Sequence, residues 1–231
     1  MKIGWEFYGI TDQASARGRA DEEVAKSLIL GGIDALQYRA KKVAAREQLA
    51  TAIRLRAMTQ AKGLPLIIND RIDLAVACGA DGVHLGQDDL PVSAARLMVG
   101  HDLIVGISTH SLDQALRAES EGADYIGFGP IHPTATKENN VPAVGLAALA
   151  EVMAQVRIPV VAIGGIKMAG LEGLAAAGAR CVAVVTALTA AEDVAAATRA
   201  MRQRWAELRA GEHDRALRGQ KVQTVKKVSF L

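Results

Sequence analysis

Apolar residues cluster in short, strand-length runs along the chain, at 6–11, 33–39, 65–69, 82–85, 103–107, 124–128, 159–163 and 181–185. Several are dense in Val and Ile with little alternation, the pattern of parallel strands covered on both faces. Between them, apolar and polar positions follow helical spacing over 21–30, 45–61, 74–78, 93–97, 112–121, 146–155 and 168–176. This cadence predicts βαβ units around a parallel sheet. An internal echo supports the count. Gly32-Ile33-Asp34, Gly79-Ala80-Asp81, Gly122-Ala123-Asp124 and Gly178-Ala179-Arg180 each close a helical stretch and open an apolar run, before predicted strands 2, 4, 6 and 8. Glycine suits the left-handed residue that ends a helix.

Eight strands in this order predict an α/β fold, a single closed (β/α)8 TIM barrel, over residues 1–210. An open dinucleotide-binding sheet is disfavoured, because no G-x-G-x-x-G follows the first run. A last helix is expected over 191–210, and residues 211–231 form a C-terminal tail that the pattern does not assign.

Composition narrows the class. Of 231 residues, 50% are hydrophobic, enough for a sizeable core, and the formal net charge is only +2. The basic residues are scattered rather than gathered in a stripe, so no nucleic-acid partner is predicted. No apolar run is long enough to cross a bilayer, and Met1-Lys2-Ile3-Gly4-Trp5 lacks the apolar core of a secretory signal. The two cysteines, Cys78 and Cys181, lie far apart in apolar sequence, so a reducing, cytoplasmic setting is expected and no disulfide framework. The oligomeric state stays open.

In a barrel of this type the chemistry gathers where strands end. Gln37, Arg39 and Lys41 alternate at the end of strand 2 and are expected to share a side, offering two cations and an amide to an anionic substrate. Asn69 and Asp70 follow strand 3, and His84 and Asp89 accompany strand 4. Adjacent strands lie about 4.8 Å apart, so Asp70 and Asp89 can meet as a pair suited to Mg²⁺. The everyday alternative is that Asp70 or Asp88 caps the next helix. Ser108, after strand 5, is a candidate phosphate donor, with Thr109 or Ser111 a candidate helix cap. The long loop after strand 6 carries His132, Thr134, Thr136 and Lys137, suited to a lid over phosphate. Gly164 and Gly165 end strand 7, Val185 and Thr186 end strand 8, and this is the usual phosphate end of the fold.

At these residues the chain resembles the thiamine phosphate synthase family. The matching runs are Tyr8-Gly9-Ile10-Thr11-Asp12, Gln37-x-Arg39-x-Lys41, Ile68-Asn69-Asp70, Gly82-Val83-His84-Leu85-Gly86-Gln87-Asp88-Asp89, Gly106-x-Ser108-x-His110, Ala123 through Pro130, Pro133-Thr134-x-Thr136-Lys137 and Ile163-Gly164-Gly165-Ile166. The resemblance implies a transferase that joins a hydroxymethylpyrimidine diphosphate to a phosphooxyethyl thiazole and releases pyrophosphate. It implies that Arg39, Lys41, Asn69, Ser108 and Lys137 hold the pyrophosphate and that Asp70 and Asp89 hold Mg²⁺. Gln37 and His84 would face the pyrimidine, and Thr134, Thr136, Gly165, Val185 and Thr186 the thiazole phosphate. The chain departs from the family pattern at Ala40, at His132 and beyond Lys137. A related thiazole tautomerase is the nearest rival and would use His132 for proton transfer. A non-catalytic thiamine-precursor binding protein is the other.

Overall fold

Each of the eight expected runs forms a strand: β1 (Phe7–Ile10), β2 (Ala35–Tyr38), β3 (Leu66–Asn69), β4 (Gly82–Leu85), β5 (Ile104–Thr109), β6 (Tyr125–Phe128), β7 (Val160–Ile163) and β8 (Cys181–Val184). They pair in parallel and in chain order, and β8 closes back on β1 to complete the barrel. The structure, a computed structural model, describes residues 3–134 and 141–228, with 213–228 as backbone alone.

The strands read as nearly continuous apolar runs because both faces are covered. Tyr8, Ile10, Ala35, Ile67, Ile104, Tyr125, Val161, Cys181 and Ala183 point inward and fill the barrel. The alternate residues, among them Phe7, Leu36, Leu66, Val83, Ile126 and Val182, pack outward against the helices. The inward set continues upward into polar residues, so Gln37, Asn69, His84 and Ser108 stand on the same side of their strands as this core.

The ring of helices comprises α1 (Asp21–Gly31), α2 (Ala45–Gln60), α3 (Ile72–Cys78), α4 (Val92–Val99), α5 (Leu112–Ser120), α6 (Gly145–Gln155), α7 (Leu171–Ala176), α8 (Thr186–Thr189) and α9 (Val194–Val228). Ser111, not Thr109, caps α5, its Oγ accepting from the Gln114 N–H. Neither Asp70 nor Asp88 caps a helix: the caps of α3 and α4 are Arg71 and Pro91, without side-chain bonds. Helix boundaries differ from expectation in two larger ways, besides shifts of a few residues at other ends. The stretch 168–176 divides into a 3-10 turn, Met168–Gly170, and α7, and α9 runs on past Ala210 to Val228. No helix among the described residues is long and apolar enough to cross a membrane.

The glycine-aspartate echo proves to be a latch at the N-terminal end of the barrel. Asp34, Asp81 and Asp124 donate their N–H groups to the carbonyls of Phe7, Leu66 and Val105 at 2.8, 3.0 and 2.8 Å. In return, their Oδ2 atoms accept the N–H of those same residues at 2.9, 2.8 and 2.7 Å. Each carboxylate also meets an arginine: Arg202 at 3.6 Å from Asp34, Arg56 at 2.7 Å from Asp81, and Arg96 beside Asp124. Each pair β1–β2, β3–β4 and β5–β6 is thus tied at its base by a reciprocal, charge-assisted bond. In the fourth echo Arg180 is exposed, and Glu119 of α5 instead accepts the Arg157 and Ile158 N–H groups leading into β7.

Candidate active site

At the opposite end, β1 and β2 deliver a buried ion pair. Asp12 is 4% exposed. Its Oδ1 accepts from Arg39 Nη1 at 2.5 Å, while its Oδ2 takes the Ser15 hydroxyl at 2.7 Å. The Arg39 N–H donates to Thr11 Oγ1 at 3.1 Å. Both ends of Arg39 are therefore fixed at the mouth before any ligand arrives.

Beside it, Lys41 Nζ donates to Asp70 Oδ2 at 2.5 Å. Asp70 has φ 63°, in the left-handed region that non-glycine residues enter at a cost, and its N–H donates to the His84 carbonyl at 2.8 Å. Asp89 comes within side-chain hydrogen-bonding reach of Asp70. Burial pushes the Asp89 carboxyl up from its ordinary value, the Gly86 N–H at 2.6 Å holds it down, and the Asp70 charge adds to the rise. Two carboxylates in contact beside a lysine make a place where added positive charge is favoured. No group of three or more His, Cys, Asp or Glu side chains suited to a metal occurs among the described residues. The pair fits Mg²⁺, which takes one or two carboxylates and completes its shell with water and phosphate oxygens.

Below the mouth, a chain of hydrogen bonds crosses the barrel. Gln37 Nε2 donates to Tyr8 Oη at 3.0 Å, and the Tyr8 and Tyr125 hydroxyls are 3.2 Å apart. Tyr125 Oη lies 2.9 Å from His84 Nδ1, and His84 Nε2 lies 3.0 Å from Ser108 Oγ. All five side chains are buried, and burial drives both phenols well above their ordinary pKa, so they stay protonated. Gly106 makes room for this: a Cβ there would fall 2.2 Å from the Tyr125 ring. Trp5 closes the floor from beneath, its ring centroid 5.4 Å from those of Tyr8 and Tyr125.

At the exits of β6 to β8, the segment 130–133 lies along the end of β7. Ile131 and His132 donate their N–H groups to the Ile163 and Gly164 carbonyls at 2.9 and 3.0 Å. Gly164 and Gly165 both have positive φ, and a Cβ on Gly165 would meet the His132 and Pro133 carbonyls at 2.7 Å. The glycine pair is thus required by the strand-6 loop resting on it. His132 Nε2 is buried without a hydrogen-bond partner and faces Gly170. Thr134 follows on this loop, and Val185 leads into α8, which begins at Thr186. Thr136 and Lys137 lie outside the described residues.

The structure therefore gathers Lys41, Asp70 and Asp89 into one electrostatic cluster, pairs Arg39 with Asp12, and joins Gln37, His84 and Ser108 through Tyr8 and Tyr125 into one hydrogen-bonded chain. Asn69 stands at the tip of β3, and its side chain makes no hydrogen bond among the described residues. Three participants escaped the sequence reading: Asp12, Tyr8 and Tyr125. The acidic residue just past β1 was a legible signal. The tyrosines look like core aromatics, and only the barrel's closure brings their hydroxyls together.

A closed parallel barrel with paired carboxylates, fixed cations and a glycine-lined rim at its C-terminal face defines a phosphate-handling (β/α)8 enzyme. The family model described as thiamine monophosphate synthase matches residues 7–188, from the first strand to the helix after the last. The chain is 46% identical to the thiamine-phosphate synthase of Chloroflexus aurantiacus, over 87% of this chain and 92% of that one. It is 43% identical to that of Methanoculleus marisnigri, over 90% and 99%. Among solved structures it resembles a thiamine phosphate pyrophosphorylase from Pyrococcus furiosus, with TM-score 0.82, 36% identity and coverage of 89% and 97%. The chain belongs to the thiamine monophosphate synthase family, a family of transferases.

Proposed function

We propose that this chain joins 4-amino-5-hydroxymethyl-2-methylpyrimidine diphosphate to 4-methyl-5-(2-phosphooxyethyl)thiazole, forming thiamine phosphate and pyrophosphate. The observation that carries the proposal is the cluster of Lys41, Asp70 and Asp89 at the mouth, together with Arg39 held by Asp12 at the end of the neighbouring strands. Arg39, Lys41, Asn69, Ser108 and Lys137 hold the diphosphate and stabilise the charge that grows on it as the carbon–oxygen bond breaks. Asp12 keeps Arg39 aimed without a conformational search. Asp70 and Asp89 would hold Mg²⁺, which would supply further positive charge to the diphosphate. The pyrimidine, anchored from Gln37 and His84, carries the transient carbocation, and the thiazole nitrogen traps it. Thr134, Thr136, Gly165, Val185 and Thr186 seat the thiazole phosphate. Catalysis by fixed charges at the leaving group needs no nucleophilic side chain.

The tautomerase reading rests on His132. The burial of its Nε2 against Gly170 speaks against it as a proton carrier at the mouth. A cytoplasmic setting is supported by the two free, buried cysteines.

The test is product formation by the purified chain given both substrates, with Mg²⁺ or with EDTA. Thiamine phosphate with matching pyrophosphate release, lost in EDTA, is the expected result. Binding of both substrates without turnover would overturn the proposal in favour of a binding protein.

A further inference from the structure

Arg19, in the loop between β1 and α1, directs its guanidinium at backbone that is remote in sequence. Its Nη2 donates to the Thr189 and Ala191 carbonyls, both at 2.8 Å, and its Nη1 to the Glu192 carbonyl at 3.2 Å. Its Nε turns back to the Ala16 carbonyl of its own loop at 2.9 Å. A guanidinium only donates and a carbonyl only accepts, so the roles in all four bonds are fixed. The loop reaches this point through Arg17 and Gly18, both at positive φ (56° and 80°), a region that a non-glycine residue enters at a cost. The three remote carbonyls belong to the last residue of α8 and the chain just beyond it. That helix is a single turn, Thr186–Thr189, too short to hold itself in place. Ser15 of the same loop adds a second tie, its Oγ 2.6 Å from Thr189 Oγ1 and 2.7 Å from Asp12 Oδ2. Asp12 in turn holds Arg39. One loop thus grips Arg39 on one side and the exit of β8 on the other, across the seam where β8 meets β1.

We propose that Arg19 is a positioning residue that clasps α8 to the β1–α1 loop and so fixes the seat of the thiazole phosphate, at Val185 and Thr186, relative to Arg39. The seat and the role of Arg39 are those of the proposed function, on which this inference rests. Joining two substrates requires their reacting atoms to be held at a set spacing, and a clasp between the two anion-bearing corners sets it. Arg19 acts through α8: among the described residues its side-chain hydrogen bonds all go to backbone carbonyls.

Amide exchange on the full chain tests the clasp without any substrate. The Thr189 and Ala190 amides, which bond to the Val185 and Thr186 carbonyls, are expected to exchange about tenfold faster in Arg19→Ala than in wild type. The rise should exceed any at Ala115 and Ala118 of α5, and an equal rise in both helices, or none in α8, would overturn the clasp. Calorimetry tests the seat. Arg19→Ala is expected to bind 4-methyl-5-(2-phosphooxyethyl)thiazole about tenfold more weakly than wild type, and inorganic pyrophosphate with Mg²⁺ within about twofold. Equal losses for the two ligands, or none, would overturn the positioning role. Arg19→Lys keeps the charge without the planar fork and should stay close to the alanine variant. Full recovery with lysine would assign the effect to charge and overturn the clasp as its cause. A wild-type chain that binds no thiazole phosphate would refute the proposed function and the seat with it, and the exchange rates would still decide whether Arg19 holds α8.

Discussion

Removing one latch should destabilise the barrel without disturbing its chemistry, and Asp124 gives the clearest arithmetic. Its Oδ2 accepts the N–H of Val105, a fully buried residue of β5, at 2.7 Å, and also meets the Arg96 guanidinium. In Asp124→Ala the Val105 N–H loses its partner in the interior, which costs about 1–3 kcal/mol. Arg96 loses a charged bond but keeps the carbonyls of Gly122, Gly100 and Leu103 at 2.9, 3.0 and 2.8 Å, so this second loss is about 1 kcal/mol. The sum is about 3 kcal/mol. Asp124→Asn keeps an oxygen for Val105 and gives up only the charge, at about 1 kcal/mol. Urea unfolding at neutral pH measures both, the alanine variant showing a midpoint lower by about 1 M or more. Because the latch lies at the end of the barrel away from the mouth, kcat should stay within about twofold of wild type. An alanine variant within about 0.5 kcal/mol of wild type would refute the latch, and an asparagine variant as weak as alanine would show that charge rather than the backbone bond carries it.

Three further outcomes follow from the site and the first helix. Asp70→Asn should raise the Mg²⁺ concentration needed for half-maximal turnover by about tenfold or more, and an unchanged Mg²⁺ titration would remove Asp70 from the metal pair. Asp12→Asn frees Arg39 from its buried carboxylate and should raise KM for the pyrimidine diphosphate several-fold, about 1 kcal/mol, read from steady-state kinetics against an unchanged thiazole phosphate KM. Asp21, at the start of α1, is 4% exposed, and burial raises its pKa despite the Gln13 amide at 2.7 Å. A raised folded pKa contributes stability below the ordinary carboxylate range that is lost as pH rises through the folded value. Asp21→Asn should therefore be more stable than wild type at neutral pH, with the gain vanishing in acid; a gain that persists in acid would contradict burial as the cause.

The eight strands were legible because a strand covered on both faces must be apolar nearly throughout, and such runs stand out without any knowledge of partners. Their ends were legible for the same reason: Gln37, Asn69, His84 and Ser108 are polar residues in the inward register, where only a ligand or a neighbour can satisfy them. The meaning of the glycine-aspartate echo was not legible. Arg56 and Arg96 stand 25 and 28 residues from Asp81 and Asp124 on other elements, and the accepting N–H groups are backbone that every sequence possesses. The hydroxyl pairing of Tyr8 and Tyr125, 117 residues apart, depends on closure of the ring in the same way. Helix α8 is four residues long, too short for a periodic pattern. The extent of α9 beyond Ala210 escaped because the stretch 211–221 offers only Ala216 and Leu217 as apolar positions, too few to mark a buried face.

The latches also bear on the order in which the molecule assembles. Asp81 reaches Leu66 across 15 residues, Asp124 reaches Val105 across 19, and Asp34 reaches Phe7 across 27. The seam that completes the ring must bring Phe7 to Val182. Loop-closure entropy rises with the intervening length, so the three latched pairs can form as local units while the seam waits for the whole chain. A nascent chain that has emerged only through β6 already holds the aspartate and its backbone partner in all three latches, and lacks only Arg202 of the first, which lies in α9. Amide exchange during refolding should accordingly protect Leu66 and Val105 before Val182, giving the barrel a history of separate βαβ units that precedes its symmetry.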